Sequence, residues 1–107
     1  MSTISKYHVA LIGKALGDPT RLAIYTQIAK CCGELFPSEM EANRAISPAT
    51  LSHHLKILSD LGLITSRRAG RYVYYKVNPE KLSNYLTYLS KFPHETQASS
   101  PAQSQHI

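Results

Sequence analysis

Before residue 93, a polar residue suited to capping a helix stands directly ahead of a proline at three places: Asp18-Pro19, Ser47-Pro48 and Asn78-Pro79. Short polar side chains can accept hydrogen bonds from the free N–H groups at a helix start, and proline suits the first helical position. Each pair therefore predicts the start of a helix. Gly17, Gly33 and Gly62 are expected to end the preceding helices. These start and stop signals divide the chain into several short helices.

Apolar residues recur in these segments at the helical period of about 3.6 residues. The first helix has one apolar face, made of Ile4, Tyr7, Leu11, Ile12, Ala15 and Leu16. The second is expected from Pro19 to about Cys32, with apolar positions at Leu22, Ala23, Ile24 and Ile28. A short helix is predicted within residues 34–46. The last helix carries a stripe of Leu82, Tyr85, Leu86 and Leu89.

Residues 64–77 have the composition of strands rather than of a helix. Tyrosine and valine dominate the second half of this segment and suit a pleated surface. Ala69-Gly70 divides the segment into two arms, which predicts a β-hairpin. Alternation would place Val73, Tyr75 and Val77 on its inner face, and Tyr72, Tyr74 and Lys76 on its outer face.

The predicted fold is therefore mainly α with a small β-hairpin, in the order α-α-α-α-β-β-α. This is the order of a winged helix-turn-helix. Residues 1–92 are expected to form one domain with a single modest core. Residues 93–107 are polar and rich in proline, serine and glutamine, and we expect them to be a disordered tail.

The helix at residues 47–61 has the two faces that a DNA-reading helix needs. One face carries Leu51, Leu55 and Leu58, which can anchor it on the body of the domain. The other is short and polar, as entry into the major groove requires. The predicted DNA-contacting residues of this helix are Ser47, Ala49, Thr50, Ser52, His53 and Lys56.

The predicted wing would extend this contact through Arg67, Arg68, Arg71 and Tyr72, which flank the hairpin tip. Long basic side chains there can reach phosphates or a minor groove. The alternative is that the arginines only keep an edge hairpin soluble. The hairpin tyrosines could also stack on single-stranded bases, but packing within the wing is the more ordinary interpretation.

The distribution of charge favours a polyanionic partner. The net charge of the chain is +5, and residues 47–79 hold five basic side chains against Asp60 alone. Lysine and arginine near phosphates release condensed counterions, which favours binding. A solvated basic face remains the alternative. No phosphate-binding loop, HExxH motif or catalytic set of separated residues is present, so we expect no enzyme.

Two further features bear on where the protein works. No apolar run is long enough to span a membrane and the N-terminus lacks the pattern of a signal peptide, so we expect a cytoplasmic protein without membrane partners. The adjacent Cys31 and Cys32 rarely close on each other, because the resulting ring is strained. A structural disulfide framework is therefore not expected.

The segments ALGDPTRLAIY and ATLSHHLKILSDLGLITSRRAGRYVYYKVN occur in order and at matching spacing over about residues 5–90. Together they resemble the ArsR/SmtB family of bacterial repressors. The resemblance implies a homodimer, paired through the first and last helices, that binds an inverted-repeat operator in double-stranded DNA until an inducing signal releases it. The residues it would place in the dimer interface are Ile4, Tyr7, Leu11, Leu82, Tyr85, Leu86 and Leu89.

The sequence departs from this family at the usual metal sites. The two cysteine positions of the family motif are occupied by Phe36 and Ser38, which cannot bind a soft metal. The last helix, residues 79–92, contains neither Asp nor His. We therefore predict no metal site and no cofactor.

The inducing signal stays open at this point. Cys31 and Cys32, beside Lys30, are candidate sensors of oxidation or of a thiol-reactive species. One of them is as readily a small buried hydrophobic residue and the other a bystander. A nonstandard thiolate metal site that these cysteines share with His8 or His94, a small organic ligand, or no ligand are the other options. A winged helix that binds proteins rather than DNA is the alternative function.

Overall fold

We analysed a computed structural model of the chain, which describes residues 4–31 and 46–92. In these two ranges the chain forms four helices and one hairpin. The elements are α1 (Lys6–Leu16), α2 (Pro19–Lys30), α3 (Pro48–Asp60), β1 (Ile64–Ala69), β2 (Tyr72–Val77) and α4 (Pro79–Ser90). This architecture confirms the predicted fold class. The short helix predicted within 34–46 and the tail at 93–107 lie outside the described residues.

The structure confirms all three helix starts that the cap-and-proline pairs predict, at Pro19, Pro48 and Pro79. Asp18 caps α2, and its carboxylate accepts the backbone N–H of Arg21 at 2.8 Å. Ser47 caps α3 in the same way. Asn78 precedes α4, but its side chain makes no capping hydrogen bond there. The helix ends also shift slightly, because α2 stops at Lys30 and Cys31 is its C-terminal cap.

The core lies where α1, α2 and α3 meet the base of the hairpin. Its fully buried side chains are Ile12, Ile24, Ile28, Leu51, Leu58, Leu63 and Ile64. Burying one such side chain contributes roughly 1.5–3 kcal/mol. The core is therefore what fixes α3 and the hairpin relative to each other, and half-buried Tyr75 and Val77 of β2 pack against it.

Several predicted apolar positions are exposed rather than part of this core, and α1 and α2 each give an example. Tyr7 is 74% exposed, because it lies five residues from Ile12 and so about 140° away around α1. Val9 takes the buried position instead. On α2, Leu22 is 45% exposed and Tyr25 is buried, although the sequence favoured Leu22.

The hairpin is antiparallel, with Ala69 paired to Tyr72, so its two-residue turn is Gly70-Arg71 rather than Ala69-Gly70. Gly70 has φ +66°, which glycine adopts without the steric cost that a side chain brings. Gly62, just after α3, has φ +78°, as predicted for a residue that follows a helix end.

Candidate nucleic-acid interface

The N-terminus of α3 is capped by Ser47 and exposed to solvent. The Ser47 hydroxyl accepts the backbone N–H of Thr50 at 3.1 Å and donates to the Thr50 hydroxyl at 3.0 Å. Both residues are exposed. A capped and exposed helix start carries partial positive charge, which is the arrangement that binds a phosphate.

The two predicted faces of α3 are separated in the structure. Leu51, Leu55 and Leu58 are buried at 2%, 4% and 0% exposure. The exposed residues on the opposite side include all the predicted contacts within the helix: Ala49, Thr50, Ser52, His53 and Lys56. We call this set the α3 polar face. Its side chains are short near the start of the helix, so a DNA backbone can approach closely there.

Lys56 on the α3 polar face pairs with Asp60 at 3.3 Å. Both side chains are largely exposed, and an ion pair of this kind contributes little to stability. The ammonium group can therefore exchange the carboxylate for a phosphate at small cost.

His54 is a residue whose importance the sequence did not indicate. It is the buried polar residue of α3, at 9% exposure, and lies behind the α3 polar face. The Arg21 Nε–H donates to its Nδ1 at 3.3 Å. Burial of the imidazole, and then the Arg21 charge, lower the pKa of His54 below its usual 6.5, while Asp18 opposes that effect. Because His53 and His54 are adjacent residues of the same type, the sequence alone does not show that His53 is exposed and His54 is buried.

The wing arginines divide between the two faces of the hairpin. Arg67 pairs with Tyr74 and Arg68 with Val73, so the two arginines project from opposite faces. The Arg67 guanidinium lies 4.9 Å from the centre of the Tyr74 ring. Arg68, Arg71 and Tyr72 are exposed around the turn. Basic groups thus surround the tip, as a surface that grips a phosphate backbone requires.

Two polar contacts fix the end of α3 against the rest of the domain. His8 on α1 donates from Nε2 to the Leu61 carbonyl at 3.2 Å. The Asn78 amide nitrogen donates to the Gly62 carbonyl at 3.0 Å, and its backbone N–H donates to the Leu63 carbonyl at 2.9 Å. Sequence spacing gives no signal for such long-range contacts. They tie both terminal parts of the domain to the C-terminus of α3.

The residues predicted for the dimer interface fall into two groups. Ile4, Leu82 and Tyr85 are half-buried and pack on the core of their own chain. Leu11 is also half-buried. The exposed members are Tyr7, Leu86 and Leu89, at 74%, 51% and 44%. They are joined by Phe92 at 59%, which the sequence interpretation did not include.

Of the candidate sensors, Cys31 is half-buried and packs against the core at the end of α2. Cys32, Phe36 and Ser38 lie outside the described residues. Within residues 4–31 and 46–92, no helix has the length and apolarity needed to cross a membrane.

Comparison with known proteins agrees with this fold and geometry. The family model of the bacterial regulatory proteins of the arsR family matches residues 18–66. An arsenical resistance operon repressor from Staphylococcus xylosus is 35% identical over 88 residues, which are 82% of this chain and 79% of that protein.

Solved structures share the architecture. An ArsR-like transcriptional regulator from Rhodococcus superposes with a TM-score of 0.75 at 24% identity, over 86% of this chain and 85% of that one. The homodimeric winged helix-turn-helix DNA-binding domain of a Mycobacterium bovis regulator has a TM-score of 0.64 at 26% identity, over 88% and 93% of the two chains. The chain therefore belongs to the ArsR family of bacterial regulatory proteins, as a DNA-binding transcriptional regulator and not an enzyme.

Proposed function

We propose that the protein is a homodimeric repressor that binds an inverted-repeat operator and leaves it when an inducing signal arrives. The observation that carries this proposal is the α3 polar face, which lies opposite three buried leucines and next to an arginine-rich hairpin. In a winged helix-turn-helix, the helix with these properties enters the major groove.

Each part of the surface has its own task in this proposal. Ser52 and His53 contact base edges, which carry sequence information. Ser47 and Lys56 contact phosphates at the edges of the groove. Arg68 and Arg71 hold the backbone or the minor groove from the wing, and these contacts position the protein without specifying sequence.

Dimerisation is supported by the exposed apolar side chains of the terminal helices and by the homodimeric relative. Two-fold symmetry of the protein would be matched by two-fold symmetry of the operator, with half-sites about one helical turn apart.

The test is enrichment of genomic DNA fragments on the purified protein, followed by titration of the enriched duplex over a range of salt concentrations. We expect an inverted repeat, and an affinity that falls steeply with salt because bound phosphates release counterions. A protein-binding module would give neither an enriched sequence nor a salt slope, and that result would overturn the proposal.

For the inducing signal we propose oxidation or thiol modification at Cys31 and Cys32. Peroxide would transfer one oxygen to the thiolate sulfur, which becomes a sulfenic acid, while the other oxygen leaves as hydroxide and is protonated to water. Cys31 packs on the core that holds α3, so a larger and more polar sulfur there would disturb α3.

Replacing both cysteines with serine should therefore leave operator binding intact and remove its response to peroxide or a thiol-reactive metal. Binding is measured by fluorescence anisotropy before and after treatment. Replacing each cysteine singly shows which of the two carries the response. A double variant that still releases DNA on treatment would contradict a sensing role for the pair.

A further inference from the structure

Arg21 joins three helices through its hydrogen bonds. Its backbone N–H is accepted by the Asp18 carboxylate, which fixes it in the first turn of α2. Its Nη1 donates at 3.1 Å to the carbonyl of Ala15, in the last turn of α1. Its Nε–H donates to His54 Nδ1 on α3. A planar guanidinium with donors in fixed directions can hold three elements in one geometry, which a lysine ammonium does less well.

The hydrogen bond to His54 requires one protonation state. Arginine only donates hydrogen bonds, so Nδ1 of His54 must accept, and the proton of the neutral ring must sit on Nε2. A protonated imidazole has N–H groups at both positions. It would point a donor at a donor and bring two positive charges together, so the hydrogen bond would break.

Because His54 lies on α3, its hydrogen bond to Arg21 affects how α3 is oriented. The residue is on the buried side of α3, one position after His53, and the two ring centres are 5.7 Å apart. A tilt of α3 that begins at His54 moves the α3 polar face relative to the wing. An error of about 1 Å in a positioned group is enough to degrade recognition.

We propose that Arg21 is a positioning residue for DNA recognition, which sets the orientation of α3 through His54 and does so only while His54 is neutral. This inference rests on the assignment of α3 as the recognition helix. Arg21 itself touches no DNA in this account.

The charged and titratable groups acting on His54 come from two elements. Arg21 and Asp18 lie at the start of α2, and His53 lies on α3 itself. Burial, Arg21 and His53 favour the neutral ring, and Asp18 favours the charged one. The pKa of His54 is therefore lower in the folded protein than the usual 6.5.

The lowered pKa makes the contribution of His54 to stability smaller at acidic pH. As the pH falls below 6.5, His54 takes up a proton in the unfolded chain at a higher pH than it does in the folded chain. The contribution of His54 to the free energy of unfolding is thus complete above 6.5 and decreases as the pH falls toward the lower folded pKa. Within the folded protein, correct orientation of α3 should fail only as the pH falls through this lower folded pKa, where His54 itself takes up the proton.

The first experiment compares the affinity for the enriched duplex with that for a scrambled duplex, from neutral pH down to the lowest pH at which circular dichroism shows the protein still folded. The ratio removes the general gain in phosphate affinity that protonated histidines bring. We expect the ratio of the wild-type protein to fall in the acidic part of this range. His54→Asn keeps an acceptor near the position of Nδ1 and does not titrate, so its ratio should fall less than that of the wild type, while His53 is present in both proteins and acts equally on both ratios. Parallel profiles for the two proteins would overturn the proposal.

The second experiment removes the donor. Arg21→Lys keeps the charge but not the Nε–H fork, and we expect about a tenfold loss of affinity for the enriched duplex, equivalent to one hydrogen bond. Lys30→Arg is the matched control, because it exchanges the same two residue types in the opposite direction at the exposed other end of α2 and also keeps the charge. Thermal unfolding of both variants shows whether they fold. Equal affinity of Arg21→Lys and the control would contradict the positioning role.

A third measurement separates this inference from the proposed function, because it needs no DNA. Nitrogen NMR of the histidine rings should show His54 as the Nε2–H tautomer with a pKa below 6.5. An Nδ1–H tautomer, or a pKa at or above that value, would overturn the inference even if operator binding is found. Failure of the wild-type protein to bind any duplex would overturn the proposed function instead.

Discussion

At the scale of single residues, position on α3 decides what chemically similar side chains do. His53 and His54 are neighbours, yet one is exposed on the α3 polar face and the other is buried against Arg21. Successive residues on a helix point about 100° apart, so a boundary between core and solvent can fall between them. Ser47 and Ser52 are both exposed, but Ser47 caps the helix start while Ser52 lies within the helix.

The cap residue gives a prediction at this scale. Ser47→Ala removes the acceptor for the Thr50 N–H, and we expect a loss of about 1 kcal/mol in the free energy of unfolding. In a domain of this size that corresponds to a decrease of roughly 4–8 °C in melting temperature. Ser47→Asn keeps a capping oxygen and should melt close to the wild type. Equal melting temperatures for the alanine and asparagine variants would show that the cap contributes nothing.

At the scale of elements, the sequence predicted what depends on local chemistry. Caps, glycines and apolar spacing placed the helices, and the alternation of Tyr75 and Val77 toward the core was also predictable. Contacts between distant segments were not. The bonds from His8 to Leu61 and from Arg21 to His54 join residues 53 and 33 positions apart. No periodic pattern encodes such pairs, because each depends on how whole elements pack.

The turn of the wing allows a test of one element alone. A Cβ added at Gly70 would meet nothing within 4 Å, so any cost of Gly70→Ala comes from its φ of +66°. A side chain in that region costs about 1–2 kcal/mol. We expect weaker binding to every duplex, since the arginines beside the turn would no longer be held in place.

Asparagine tolerates this backbone region, so Gly70→Asn should recover much of the affinity. Hydrogen exchange of the hairpin amides measures the order of the wing directly. An alanine variant with wild-type exchange and wild-type affinity would contradict the need for a precise turn.

At the scale of the whole molecule, the domain leaves apolar side chains uncovered along its terminal helices. Tyr7, Leu86, Leu89 and Phe92 are each at least 44% exposed. The sequence predicted three of these four but grouped them with Ile4, Leu82 and Tyr85, which serve the core of their own chain. Helical spacing alone cannot separate residues that pack in the core from residues exposed to a partner chain, because both sets repeat with the same helical period.

The proposed dimer predicts an asymmetry between equally exposed leucines. Leu86→Lys and Leu89→Lys should each shift sedimentation toward the monomer and weaken operator binding, because a charge would be buried between subunits. Leu22→Lys is the matched control, since Leu22 is 45% exposed on α2. It should leave the assembly unchanged. If all three variants sediment alike, the terminal helices do not form the interface.

The central claim is that the α3 polar face reads base edges while the wing grips the backbone. The most direct measurement is selection of bound sequences from a random duplex pool by the wild type and by two double variants. Ser52→Ala with His53→Ala should change the selected bases and leave much of the affinity for unselected DNA. Arg68→Gln with Arg71→Gln should select the wild-type sequence, bind all duplexes more weakly, and show a salt slope that is smaller by about one for each phosphate no longer bound. Selection of the wild-type sequence by the Ser52/His53 variant would contradict the account.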